Sequence, residues 1–493
     1  MKRIAFALVL SLLATADVNA QQQPVRLSIA DALARVEGAS PTIGLARAGV
    51  ASAHADWLRT RSAALPQLSG SASYTRTLAS QFSAFASGTS SDSFPKPVNC
   101  GHYAPVPGLP IAARIDSLER GLDCTANGSS IDFSSLPFGR KNNWTLGLQA
   151  SQSLLDPKMS GQLAVARAGE ERASVELTAQ RAQAMLDVAQ AYLDVQLAER
   201  LLEIADSTLA QAQRTFEQTR QERQVGNAAE FDQLRASVAR DNQNPVVIQR
   251  RAQRDQAVLR LRQLLDLPTG TLLVLVTPLG DTATAVPAPL APEFSGVADT
   301  NIAQRAPVRE ATASLHASDG QVSAAKAARL PTLSVSSAFA EIDYPAQVFS
   351  FDKALTDWTV GIRLDVPIFT GGRTRAGILA AEAGRDASAM RVKQAQQQAQ
   401  REVQDVRLLL ASAQAVWEAV QGTVAQAARA YSIAELRYRN GLSTLTEVGD
   451  ARVQLGQAQA NRAQAVRDFH IARIRVALLR DLPFGATGAP GTE

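Results

Sequence analysis

The side chains able to do acid–base, nucleophilic or ligand chemistry are few and scattered. The chain of 493 residues has four histidines and two cysteines. His54, His102, His316 and His470 are isolated from one another, and three of them sit in Ala-rich helical segments where a half-exposed structural imidazole is the plain reading. No nucleophile elbow, phosphate loop or zinc spacing is present, and Gly371-Gly372-Arg373 lacks the spacing of a phosphate cradle. Cys100 and Cys124 share one loop-like stretch of an exported chain. Oxidising conditions there favour a local bridge over a metal site, since His102 cannot complete a ligand set with them. No catalytic residue, cofactor site or metal site is expected.

Export is read from the N-terminus. Lys2 and Arg3 precede an apolar run from Ile4 to Ala16, then Val18-Asn19-Ala20 and the polar Gln21-Gln22-Gln23, so residues 1–20 read as a cleavable signal without a lipidated Cys at the cut. Beyond it the longest apolar run, Leu272 to Val276, is strand-sized, so any membrane crossing has to be a β-barrel. A composition dominated by Ala, Gln, Arg and Leu, with 5% aromatic residues, suits long helices in shallow contact. A net charge of +4, with both signs mixed along the helices, supplies no basic patch for nucleic acid.

An internal repeat divides the mature chain. Leu65-Pro66-Gln67-Leu68-Ser69 returns as Leu330-Pro331-Thr332-Leu333-Ser334, Trp144-Thr145-Leu146-Gly147-Leu148 as Trp358-Thr359-Val360-Gly361-Ile362, and Asp266-Leu267-Pro268 as Asp481-Leu482-Pro483. Each half reads as helix, strand, loop, strand, very long helix, turn and shorter helix. The strands alternate: Leu68, Gly70, Ala72 and Tyr74, then Trp144, Leu146, Leu148 and Ala150, face away from Ser and Thr neighbours. In the second half Leu333, Val335 and Phe339 share a face, as do Trp358, Val360, Ile362, Leu364 and Val366. A soluble sandwich shows the same alternation, so periodicity alone does not separate a lipid-facing wall from a core-facing one. Four strands cannot close a transmembrane barrel; three such chains would supply twelve.

The helices carry a seven-residue period. Val188, Val195, Leu202, Leu209 and Phe216 recur with Ala191, Ala198, Ala205 and Ala212 interposed; the copy has Val403, Leu410, Trp417, Val424 and Tyr431 with Val406, Ala413, Val420 and Ala427. This predicts left-handed supercoiling with close helix approach. A helix from about Ser160 to Gln224 would be roughly 100 Å long at 1.5 Å per residue. Gly226 and Gly441 supply turns back into helices running from about Ala229 to Leu265 and Thr444 to Leu479, the first kinked near Pro245.

The duplicated order of these motifs, with Pro367-Ile368-Phe369-Thr370-Gly371-Gly372-Arg373 and the Tyr-x-x-Gly turn at Tyr438 to Gly441, resembles the TolC or outer-membrane efflux protein family over nearly the whole mature chain. The resemblance implies an α+β membrane protein: a homotrimer whose chains each give four β-strands to a shared twelve-stranded barrel in outer-membrane lipid, continued by coiled-coil hairpins as an α-helical tube in the periplasm. It implies a passive exit duct whose tips meet a periplasmic adaptor and an inner-membrane transporter of the RND or ABC type. Small-molecule or drug efflux is the favoured cargo reading, with type I protein secretion as the alternative and a periplasmic coiled-coil scaffold as the rival from another class.

Counting from the turn glycines carries the family's constriction onto Asp232, Tyr438, Glu447 and Asp450, with Gly226 and Gly441 as adaptor-contacting tips. The constricting Arg of the family is absent at Ser443, which leaves either a looser closure or one made with Arg437 or Arg439. Acidic residues in the first turn of a helix also favour its positive end, so for each carboxylate this reading stands beside gating. The expected organisation is 1–20 signal, 21–268 first repeat with an external loop 75–143 and a hairpin 158–266, 269–298 connection, 299–483 second repeat with a hairpin 371–480, and 484–493 tail. The loop is read as pinned by Cys100–Cys124 or as a plain disordered surface loop.

Overall fold

The computed structural model describes residues 25–78, 106–128, 142–226, 228–279, 301–345, 348 and 354–486. The signal, His102, Cys100 and most of the 269–298 connection lie outside them. The chain divides into a helical unit (1–57, 161–323, 375–493) and a sheet unit (58–160, 324–374). No described helix is long and apolar enough to cross a membrane.

The sheet unit holds β2 (Gln67–Arg76), β3 (Asn142–Leu155), β5 (Thr332–Asp343) and β6 (Leu355–Asp365) in spatial order β2-β3-β5-β6, every pair antiparallel. Residues opposite each other across such a ladder point to the same side. The register therefore fixes the faces: Leu68 stands opposite Ala150, Tyr74 opposite Trp144, Leu148 opposite Phe339, Phe339 opposite Trp358, and Val335 opposite Ile362. A bulge between Ser153 and Leu155 re-phases the end of β3 so that Leu155 joins Leu333 on this face. The other face carries Ser69, Ser71, Ser73, Gln149, Thr359 and Arg363. The apolar side is uncovered: Trp358 is 71% and Ile362 74% exposed. The 75–143 segment, read as loop, contains α3 (Ile111–Gly128); its exposed apolar residues Ile111, Ile115, Leu118 and Leu122 recur at helical spacing between loop-like Pro and Gly clusters, a signal the loop reading passed over.

In the helical unit β1 (Val25–Leu27) pairs in parallel with β4 (Leu273–Leu275). The 269–298 connection thus contains a strand, whose Leu273 and Leu275 pack half-buried against the core that holds Leu27. The opening helix is two pieces, α1 (Ile29–Ala39) and α2 (Pro41–Ser62). Ser28 and Asp31 form a capping box that starts the first, and Pro41 begins the second where a missing N–H costs nothing.

The long helix α4 (Lys158–Gln224) has 67 residues. Past the turn, α5 (Glu230–Asp241) and α6 (Gln243–Leu264) return along it, broken at Asn242. Arg223 donates to Gln233 at 2.8 Å, Arg240 lies 4.3 Å over the Phe216 ring, and Val188 and Tyr192 pack with Leu261 and Leu265, an antiparallel ladder. Helix α7 (Ala306–Ala327) also crosses α4: a side chain at Gly320 would come within 2.9 Å of the Gly161 carbonyl oxygen, so only glycine allows that approach.

The second hairpin is α8 (Arg373–Val420), α9 (Thr423–Arg439) and α10 (Leu445–Leu478). The helix read as continuous breaks at Gln421-Gly422, glycine being the weakest helix former there, yet the seam runs through the break. From 410 to 431 the residues not exposed are 410, 413, 417, 420, 424, 427 and 431, alternating steps of three and four. Trp417 stacks on Phe469 of α10 with ring centroids 5.1 Å apart. Helix α10 packs along α4 as well, joining Ile471, Ile474 and Leu478 to Leu186, Ala189 and Leu193.

Candidate functional site

The expected tip residues lie at the ends of the two hairpins. Gly226 and Gly441 have φ of 82° and 71°, the left-handed conformation that side chains disfavour. At the second turn the Leu442 N–H reaches the Arg437 carbonyl at 2.8 Å and the Gly441 N–H that of Tyr438 at 2.9 Å, a Schellman closure of α9. Thr444 then caps α10 by accepting from the Glu447 N–H at 3.4 Å. Asn227, in the first turn, lies outside the described residues.

Tyr438 is the residue most engaged. Its hydroxyl lies 3.4 Å from Thr219 Oγ1. The Thr219 hydroxyl already donates to the Thr215 carbonyl at 2.9 Å, so the phenol is the donor between them. Burial pushes the Tyr438 phenol above its ordinary value, and the negative charges of Glu222 and Asp232 add to it. Asp232, in the first turn of α5, is thus in the electrostatic field of Tyr438. Glu447 and Asp450 lie on α10, exposed, and their side chains are not brought onto Tyr438 by a hydrogen bond.

The two arginines offered as substitutes at Ser443 are engaged locally. Arg437 donates to the Leu442 carbonyl at 3.3 Å, Arg439 to Glu435 at 2.7 Å, and Ser443 itself to the Ala434 carbonyl at 3.3 Å. The first turn is tied by Arg223 to Glu230 at 3.4 Å. Thr219 and Glu222 were missed from the sequence, although Thr219, 0% exposed, continues the seven-residue series through Ala191, Ala198, Ala205 and Ala212.

His54 pairs with Glu170 at 2.9 Å and His316 with Glu171 at 3.6 Å, while His470 lies beside Phe469. No cluster suited to a metal ion occurs among the described residues. Cys124 lies on α3, and Cys100, its expected mate, is outside the described residues.

Comparison with known proteins gives the same architecture. Over 179 residues the chain is 28% identical to the cation efflux system protein CusC of Escherichia coli O157:H7, covering 36% of this chain and 38% of that protein. Over 184 residues it is 24% identical to nodulation protein T of Rhizobium leguminosarum bv. viciae, covering 37% of each. These matches span little more than a third of either relative. A crystal structure of CusC superposes with a TM-score of 0.67 at 20% identity, covering 92% of both chains, which establishes a shared fold. The family model for outer membrane efflux proteins matches residues 121–266 and 297–479; these channel proteins are not enzymes, and this chain, an outer-membrane protein, belongs to their family.

Proposed function

We infer that the chain is the outer-membrane exit duct of a tripartite export system. Three copies would close a twelve-stranded barrel in the lipid, each giving β2, β3, β5 and β6, and the paired hairpins of the two repeats would continue it into the periplasm as a helical tube. The sheet carries this reading. It has a largely apolar face left uncovered, and β2 and β6 each have one neighbour among the described strands. An open sheet with two unpaired edges is unstable in lipid until closed, and three-fold repetition gives an even strand number in the range of outer-membrane barrels.

The duct itself is passive. Asp232, Tyr438, Glu447 and Asp450 would constrict it at the tips, where carboxylates repeated around a narrow lumen favour cations. The turns at Gly226 and Gly441 would face a periplasmic adaptor, which brings an RND or ABC transporter of the inner membrane. Small molecules are the favoured cargo, and the name of one relative, a cation efflux system protein, keeps cations among them. The test is a cross-linked pull-down of the tagged chain from intact cells. Recovery of an adaptor with a proton-driven pump supports small-molecule efflux. An adaptor with an ATP-driven exporter moves the reading to type I protein secretion, and recovery of neither overturns the duct.

A further inference from the structure

We propose that the cleft between α4, α8, α10 and the chain following α10 is a binding site for a small organic carboxylate with an apolar body, anchored by Arg475. The cavity measures about 530 Å³ and lies wholly in the helical unit, with Leu186, Val406, Leu409 and Ile471 among its apolar walls and Arg467, Asp468 and Arg475 as its charged ones. That size, with apolar walls and a few convergent polar groups, is what small-molecule sites have, typically about 300–1,000 Å³.

The two arginines differ in what they lack. Arg467 is paired with two carboxylates: its Nε and Nη2 donate to Asp194 Oδ1 at 2.8 and 2.5 Å, and its Nη1 to Asp468 Oδ1 at 2.7 Å. Arg475 lies eight residues further along the same helix. It is 9% exposed, and its buried Nε has no hydrogen-bond partner among the described residues. Burial holds its pKa below the ordinary arginine value, and the Arg467 charge adds to this while Asp468 opposes it. A guanidinium stays charged in a protein, so the group is a desolvated cation at the wall of a cavity, and its terminal N–H groups, rather than the enclosed Nε, are what a ligand there would meet. A carboxylate pairs with them through a charge-assisted bond. Asp468 on the same wall repels a dianion, which favours a monocarboxylate over phosphate. Gly485 and Ala486 also line the cleft, and the Gly485 N–H is held by Glu402 at 3.1 Å, so this part of the wall is fixed in place. The assignment concerns binding alone and does not depend on what the duct carries.

The test is calorimetric titration of the purified full chain in neutral detergent with 3-phenylpropionate, its neutral amide 3-phenylpropanamide, and 3-phenylpropylamine. The acid is expected to bind saturably, and the amide and amine about tenfold or more weaker, the worth of one charge-assisted hydrogen bond. Arg475→Gln should weaken the acid by a similar factor, and Arg475→Lys should retain part of the binding. Absence of saturable acid binding, equal binding of acid and amide, or acid binding unchanged in Arg475→Gln would each overturn the proposal. Should the glutamine variant fail to fold, the three probes on the unmodified chain decide the matter.

Discussion

The guanidinium of Arg305 donates to the carboxylate of Glu402 at 3.0 Å with Arg305 entirely excluded from solvent. Its second arm reaches the Leu482 carbonyl at 3.3 Å, so the pair joins the start of α7, the middle of α8 and the chain after α10. Burial lowers the Arg305 pKa, and the charge and hydrogen bond of Glu402 oppose the shift. Breaking such a pair from one side leaves an uncompensated buried charge, at a cost of about 3–5 kcal/mol. Glu402→Ala is therefore expected to lower the thermal unfolding temperature more than the double change Arg305→Met with Glu402→Leu. A double variant as unstable as the single one would show that shape, not charge, sets the loss.

At the tip, Tyr438→Phe removes the donor to Thr219 while keeping the ring. A hydrogen bond of this kind is worth about 0.5–1.5 kcal/mol, so the open-to-closed ratio of single channels in a planar bilayer should rise roughly two- to tenfold. Because the folded phenol titrates above its unfolded value, its contribution to stability is present below the unfolded pKa and is lost as pH rises through the folded one. Alkaline destabilisation should accordingly be milder in Tyr438→Phe than in the parent.

Glu447→Gln with Asp450→Asn is expected to shift the reversal potential under a salt gradient toward lower cation selectivity. An unchanged potential would leave these carboxylates as partners of the α10 N-terminus.

How much of this was legible depends on whether local pattern or distant contact decided it. The four sheet strands, the faces they present and the positive-φ glycines at 226 and 441 follow from alternation and from the conformational freedom of glycine, both local properties. The seven-residue seam even foretold which positions of α8 and α9 are shielded, although not the break at Gly422, where helix geometry relaxes without losing the seam. What escaped was set by tertiary contact. The pairing of Leu273–Leu275 with Val25–Leu27 joins segments far apart in sequence. Arg305, Glu402 and Arg475 are ordinary charged residues until the helices bury them. The tip carbonyls that occupy Arg437 and Ser443 likewise belong to the turn conformation rather than to any residue pattern.

The expected bridge between Cys100 and Cys124 has a direct test. Neither thiol should react with a maleimide in the unfolded protein until a reductant is added. Labelling without reductant would leave the segment as an unpinned surface loop.

The sheet offers the sharpest test of the duct. Ile362 and Thr359 are three residues apart on β6 and, by the period of two, on opposite faces. If the apolar face meets lipid, Ile362→Arg places a cation in hydrocarbon, at a cost of about 2–4 kcal/mol near the bilayer midplane in each copy of the proposed trimer. Thr359→Arg puts the same charge on the polar side, where water in the lumen can solvate it. The first variant should lose most of its heat-resistant trimer from the outer-membrane fraction, and the second should keep it. Equal loss would mean that both faces are packed against protein, which a lipid-facing barrel wall does not allow.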